Sequence, residues 1–254
     1  MERLQRITST LIIFLTALAG SAILVGTFAA VRSNLFTVQV VEIADQPENA
    51  PVEVQELTQL AAVPVGQVNL FELDLADLEN RFLGHPWIRK VRLQKHFPQT
   101  LSIGVEYREP QAIYQSDSGA LSYVDRDGKT FGKVILNFYP DLPVLEGVPL
   151  KKVSAALELI AAWNQSRGLV ALAQEPQLSA LHWDPERGFR LWLTYPFEGG
   201  VGRSQVDLGQ ELDAEPQFKR LRQVLAYLRD RRVSVHQIWA DAGKKIVVRT
   251  TRGS

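Results

Sequence analysis

Between Ile7 and Val31 the chain runs for 25 residues without a charge, with Arg3 and Arg6 before the run and Arg32 after it. Coiled as an α-helix, such a run spans roughly 37 Å, more than the roughly 30 Å of a bilayer's hydrocarbon core. A cleaved signal peptide is the competing reading, and Ala29-Ala30 is its best cleavage signal. Its apolar region, however, is usually only about 7–15 residues long. The expectation is one transmembrane helix over residues 9–31. Positive residues are nearly balanced across the run, so the positive-inside rule decides little. A tail of residues 1–8 carrying Arg3 and Arg6 most simply stays in the cytoplasm, leaving everything after residue 31 outside.

The 254 residues leave room for that helix plus two modest domains or one large one. Lys plus Arg number 28 and Asp plus Glu number 28, so no strong net field exists to hold nucleic acid. Cysteine is absent, which removes disulfide frameworks, thiolate zinc sites and cysteine nucleophiles together.

Beyond Arg32 the pattern alternates between strand and helix. Phe36 to Ile43 is short and β-branched, a strand. Pro51 to Leu60 opens with proline and carries early acids, as a first helical turn does; Val54, Leu57 and Leu60 share one face. Asp74 is placed to cap a second helix through Phe82, with Leu75, Leu78 and Phe82 inward, and Gly84 ends it. Trp87 to Gln94 alternates imperfectly, with Trp87 and Arg89 on one face and Ile88, Lys90 and Arg92 on the other. After Pro98, Leu101, Ile103, Val105 and Tyr107 alternate cleanly with Ser102, Gly104 and Glu106. The order is β-α-α-β-β.

Gly66, Asn69-Leu70-Phe71, Asp74, Pro86-Trp87-Ile88, Phe97-Pro98 and Leu101 through Glu109-Pro110 together resemble a POTRA domain. More narrowly, they resemble its form in the FtsQ/DivIB bacterial cell-division family. Three motifs in order carry the likeness: G-x-x-N-L-F-x-x-D, H-P-W-I-x-x-V and F-P-x-T-L-x-I-x-V-x-Y-R-E-P. Each also has a plain folding role: Gly66 suits a turn with φ > 0, Trp87 fills a core, and Pro98 punctuates a hairpin.

The rest of the chain reads as a second mixed domain. Turn clusters at Ser116-Gly119 and Asp125-Gly128 flank apolar runs at Leu121 to Val124 and Thr130 to Val134. Lys151 to Gln165 is an amphipathic helix with Val153, Ala156, Leu157 and Ile160 inward. Strands at Leu178 to Trp183 and Gly188 to Thr194 surround Asp184-Pro185-Glu186-Arg187, and Val201 to Leu208 follows, closed by Gly209. Pro216 to Arg229 is a helix with Phe218, Leu221, Val224, Leu225 and Leu228 inward. Strands at Val235 to Trp239 and Lys245 to Thr250 close the chain around the turn Asp241-Ala242-Gly243. This part is similar, more loosely, to the β domain that follows POTRA in the same family, including L-G before the penultimate helix and D-x-G-x-x-I-V-V-R at the end. The expected fold class is α+β: one transmembrane helix, a POTRA domain over 32–110, and a second domain over 111–254 with a mostly antiparallel sheet.

No chemistry emerges from the residues. His85, His96, His182 and His236 form no i,i+4 pair and no H-E-x-x-H, and surface or strand positions suit them better than metal ligation. There is no G-x-S-x-G elbow. Gly199 to Ser204 is glycine-rich like a phosphate loop, but it lacks the lysine and the spacing, so a hairpin turn is expected. The reading therefore contains no catalytic residue, cofactor, metal or small-molecule substrate.

A binding role has a physical handle in Lys245, Ile246, Val247, Val248 and Arg249. A last strand can form a sheet edge whose unpaired backbone groups accept a partner strand, alternate side chains supplying specificity. Ile246 and Val248 would face one side, Val247 and Arg249 the other, with Trp239 close by as an aromatic anchor. The plainer alternative has Trp239 and the valines filling a core. The resemblance implies binding: in FtsQ/DivIB-like proteins this region pairs with the single-span proteins FtsB (DivIC) and FtsL. It also implies that the POTRA domain meets other division proteins, its second strand being one candidate surface. Arg89, Lys90, Arg92 and Lys95 give that strand an expected basic face. The implied function is a non-enzymatic scaffold at the division septum in the cytoplasmic membrane. Two other classes remain open, a POTRA-containing envelope assembly or secretion component and an anchored envelope enzyme.

Overall fold

The computed structural model describes residues 2–134, 141–170, 175–197, 200–210, 213–231, 233, 235–240 and 245–250. The chain divides into two compact units, residues 1–108 and 109–254, each with its own sheet.

The first unit opens with α1 (Glu2–Val31). Its stretch Phe14–Val31 has no residue buried and is long and apolar enough to cross a membrane. A turn of 3-10 helix, Asn34–Phe36, follows. Strand β1 is Val40–Ala44, beginning four residues later than the β-branched run suggests. The cause is local. The Phe36 carbonyl accepts from Leu70, the Val38 N–H donates to Val68, and the Val38 carbonyl accepts from Gly66. Residues 36–38 thus spend their hydrogen bonds on the 66–70 loop instead of the sheet.

Helix α2 is Val54–Ala61 and buries Leu57 and Ala61; Val54, expected inward, is exposed. Helix α3 (Leu75–Leu83) is capped by the Asp74 carboxylate, which accepts from the Ala76 and Asp77 N–H groups. Strands β2 (Ile88–His96) and β3 (Thr100–Tyr107) complete the unit. The sheet order is β1-β3-β2, with β3 parallel to β1 and antiparallel to β2. Leu57, Leu78, Phe82, Ile88, Leu101 and Ile103 form its buried core. A register shift between Ile88 and Lys90 resets the alternation of β2. Lys90, Arg92, Gln94 and His96 consequently face solvent. Arg89 and Lys95 turn to the other, half-buried face, where Arg89 lies 3.4 Å from Glu106 and Lys95 Nζ donates to the Leu73 carbonyl at 2.9 Å. The expected four-residue basic face is therefore only Lys90 and Arg92, with His96 beyond.

The second unit contains β4 (Pro110–Gln115), β5 (Leu121–Asp125), β6 (Thr130–Phe131), β7 (Val144–Glu146), α4 (Val153–Gln165), β8 (Gln177–Asp184), β9 (Gly188–Phe197) and β10 (Gly200–Gly209). It ends with α5 (Ala214–Asp230), β11 (Val235–Trp239) and β12 (Val247–Thr250). The nine strands form one sheet in the order β12-β11-β10-β9-β8-β7-β4-β5-β6. Five of its pairings are antiparallel; β4·β7, β7·β8 and β10·β11 are parallel. Residues Gly200 to Ser204 are extended β10, not a loop; Gly199 and the expected turn at 241–243 lie outside the described residues.

One core runs from Ala112 and Val124 through Leu145, Leu181, Leu191 and Val206 to Ile238, closed by the inner faces of α4 and α5. The inner stripe of α4 is Val153, Ala156, Leu159, Ile160 and Trp163, with Leu157 only half-buried. In α5 the buried positions are Gln217, Phe218, Leu221 and Arg222. Arg222 has 0% exposure and joins the two helices. Its Nε donates to Ser166 Oγ at 2.7 Å, an Nη donates to the Trp163 carbonyl at 3.1 Å, and the other pairs with Glu175.

Candidate functional site

The β12 edge is built outward from β10. At one end of β11, the Val235 carbonyl accepts from the buried Ser204 hydroxyl at 2.5 Å and from the Tyr195 hydroxyl at 3.2 Å. At the other end, the Ala240 N–H donates to the Asp207 carbonyl at 2.8 Å. The Asp207 side chain accepts from Arg190 Nε at 2.7 Å and from Gln237 Nε2 at 3.2 Å. These contacts hold β11 parallel to β10 along its length.

Strand β12 then pairs antiparallel to β11, with Trp239 opposite Val247, Ile238 opposite Val248 and Gln237 opposite Arg249. Directly opposed residues share a face of the sheet. Ile238 is fully buried, so Val248 points to the core, and Ile246 packs against the core as well. The other face carries Trp239, Val247, Gln237 and Arg249. Val247 is 50% exposed, Trp239 is half-buried, and Lys245 and Arg249 are exposed.

The residues Trp239, Lys245, Ile246, Val247, Val248 and Arg249 thus gather at one sheet edge but divide in role. Val248 and Ile246 secure the strand to the domain, while Val247, Trp239 and Arg249 face away from the core. Lys245 and Ile246 precede the strand, which begins at Val247 and not at Lys245. Sequence reasoning missed Asp207, Arg190 and Gln237, the polar node that fixes the end of β11. They come from three strands, and no local pattern marks their convergence.

The histidines lie apart. His85 Nε2 is 3.2 Å from Glu56 Oε1, His96 and His236 are exposed, and His182 is half-buried on β8. Among the described residues no group of three His, Asp or Glu side chains is placed to hold a metal ion.

An N-terminal helix long and apolar enough to cross a membrane, a small β-α-α-β-β domain and a broad sheet presenting an edge strand define a POTRA-bearing chain. Residues 36–108 match the family model for the POTRA domain, FtsQ-type, and residues 112–241 match that for cell division protein FtsQ/DivIB, C-terminal. The chain belongs to the FtsQ/DivIB family of cell-division proteins. It is similar to the cell division protein FtsQ of Syntrophotalea carbinolica, 27% identical over 248 residues that cover 92% of this chain and 82% of that one. Its likeness to the FtsQ of Geobacter sp. strain M21 is 27% over 229 residues, covering 86% and 77%. With the FtsQ of Rhodothermus marinus it is 33% identical over 183 residues, covering 65% and 60%.

Proposed function

We propose that this chain is a non-enzymatic scaffold of the division apparatus, held in the cytoplasmic membrane by α1 with its N-terminus in the cytoplasm. On this reading residues 32–110 form the POTRA domain nearest the membrane and residues 111–254 the partner-binding β domain, both extracytoplasmic and at the septum. The partners are single-span proteins of the FtsB (DivIC) and FtsL kind. Through them the chain recruits and regulates the septal peptidoglycan synthase, performing no chemistry itself.

The observation that carries the proposal is the solvent-facing edge at β12, with Trp239 and Val247 side by side on its outward face. An extended partner segment added there would gain main-chain hydrogen bonds from the strand and side-chain specificity from that pair. Membrane anchoring adds a second factor. Partners confined to the same layer meet at raised effective concentration, so modest contacts suffice for assembly.

The test is co-purification of the full chain with FtsB- and FtsL-like partners, comparing wild type with Val247→Glu and Trp239→Ala. A fall in affinity of about tenfold or more, equal to about 1.4 kcal/mol, with the circular dichroism spectrum unchanged, supports the edge. Undiminished binding in both variants moves the interface elsewhere, and no binding by wild type removes the partner assignment.

A further inference from the structure

Three phenylalanines from separate parts of the first unit meet beside the end of α1. The Phe36 and Phe71 ring centroids are 5.0 Å apart, Phe71 and Phe97 4.6 Å, and Phe36 and Phe97 6.1 Å. This cluster is not core. Phe71 is 45% exposed, Phe97 52% and the neighbouring Leu35 59%. An aromatic patch left in water on a small domain costs free energy and needs a reason.

Its position supplies one. The Asn69 carboxamide donates from Nδ2 to the carbonyl of Val31, the last residue of α1, at 2.8 Å, while its Oδ1 accepts from the Phe71 N–H at 2.9 Å. Phe71 therefore lies within one carboxamide and two hydrogen bonds of the helix end. Phe36 follows that end by five residues, three of them coiled in the Asn34–Phe36 turn. Arg32, the first charge after the apolar run, stacks over Phe28 at 4.4 Å and lies 3.9 Å from Glu72. The acid beside Phe71 thus has a cationic partner near it and does not meet an anionic surface alone.

We propose that Phe36, Phe71 and Phe97, with Leu35, sit in the headgroup layer of the bilayer and seat this domain on the membrane surface. This rests on the reading of α1 as a membrane span. Phe and Leu side chains on a surface that lies along a bilayer bury themselves about 5–10 Å into the boundary between headgroups and acyl chains. That layer begins where the hydrocarbon ends, only a few ångströms past the last apolar turn. The occupant of the patch is lipid, and Arg32 lies at the level of the phosphates.

The chain contains no cysteine, so single introduced cysteines take a nitroxide label without background. The full chain carrying Phe71→Cys, Phe97→Cys, Glu79→Cys or Ile23→Cys is reconstituted into phosphatidylcholine vesicles with a minority of phosphatidylglycerol. Relaxation by oxygen, which enters the bilayer, is compared with relaxation by a water-soluble nickel chelate. The expected result is an oxygen-to-nickel ratio at Phe71 and Phe97 several-fold above that at exposed Glu79 on α3, and below that at Ile23. Ratios matching Glu79 while Ile23 reads as bilayer overturn the proposal and leave the span intact. An aqueous Ile23 overturns both. Shielding from both reagents, with spin–spin broadening, identifies a second copy as the occupant and also overturns it. If a phenylalanine variant fails to fold, Leu35→Cys gives the same reading.

Discussion

The Arg222 guanidinium of α5 stacks over the indole of Trp163 on α4, 4.3 Å from the ring centroid. Both side chains are fully buried. The charge is satisfied from three directions, by Ser166, the Trp163 carbonyl and Glu175.

Replacing Arg222 by Lys keeps the charge and loses the planar fork and the stacking. A buried charge with broken pairing costs about 3 kcal/mol, so Arg222→Lys is expected to lower unfolding free energy by that order. Arg229→Ala, which removes an exposed pair with Asp230, is expected to change it by less than about 0.5 kcal/mol. Denaturant titration of the full chain in detergent, followed by tryptophan fluorescence, compares the two.

Gly188 has φ +83°, and a Cβ there would lie 2.0 Å from the Gly209 carbonyl oxygen, a backbone atom that cannot swing aside. Gly119 has φ +81° with nothing within 4 Å of the same position. Backbone strain alone costs about 1 kcal/mol, whereas the collision adds displacement of a paired strand. Gly188→Ala is expected to be destabilising by more than about 3 kcal/mol and Gly119→Ala by about 1. Paired melts of the two variants measure the difference.

Adjacent residues of β12 separate folding from the proposed docking. Val248 packs half-buried against the core opposite Ile238, so Val248→Asp places a carboxylate against apolar neighbours and is expected to lower stability by about 1–2 kcal/mol. Val247→Asp faces solvent and is expected to leave the thermal midpoint nearly unchanged while weakening partner binding. Melting and co-purification of both variants distinguish the two faces of one strand.

The Asp184 carboxylate accepts from the Glu186 N–H at 2.9 Å and from the Arg187 N–H at 3.1 Å. These two bonds hold its pKa below the ordinary 3.8. With the folded value depressed, the stabilisation is complete above the unfolded pKa and is lost as pH falls through the folded one. Asp184→Asn is expected to flatten the acid limb of a stability–pH curve below about pH 4. Tyr107 shows the opposite case. Burial raises its phenol above 10.0, so its contribution holds below the unfolded pKa and fades as pH rises past the folded one. Phenolate absorbance should therefore appear late at Tyr107, and Tyr107→Phe should remove that late component.

Local signals in the chain were readable where one residue carries them. Asp74 caps α3 through its own side chain, Gly66 takes its positive φ of 79°, and the alternation after Pro98 became β3. Signals that depend on distant partners were not readable. Residues 36–38 look like a strand, yet their hydrogen bonds go to a loop some thirty residues on. Strands β4 and β7 escaped notice because β4 opens on Pro110 and β7 has only three residues. Both are strands because neighbours from far along the chain complete their ladders. Arg222 on an amphipathic helix reads as a surface charge, and only α4 opposite makes it core. The edge position of β12 was anticipated, but the Asp207 node that steadies its neighbour assembles from three strands and leaves no local trace.

The Asn69 carboxamide bridges residues 38 positions apart, from the Val31 carbonyl to the 69–71 loop. A helix joined to its domain by a single stretch of chain is free to swivel beneath it. With a second point of attachment the swivel becomes a keyed shaft, and torsion applied to one part reaches the other. A turn of α1 about its own axis then pulls on the 69–71 loop through this bond.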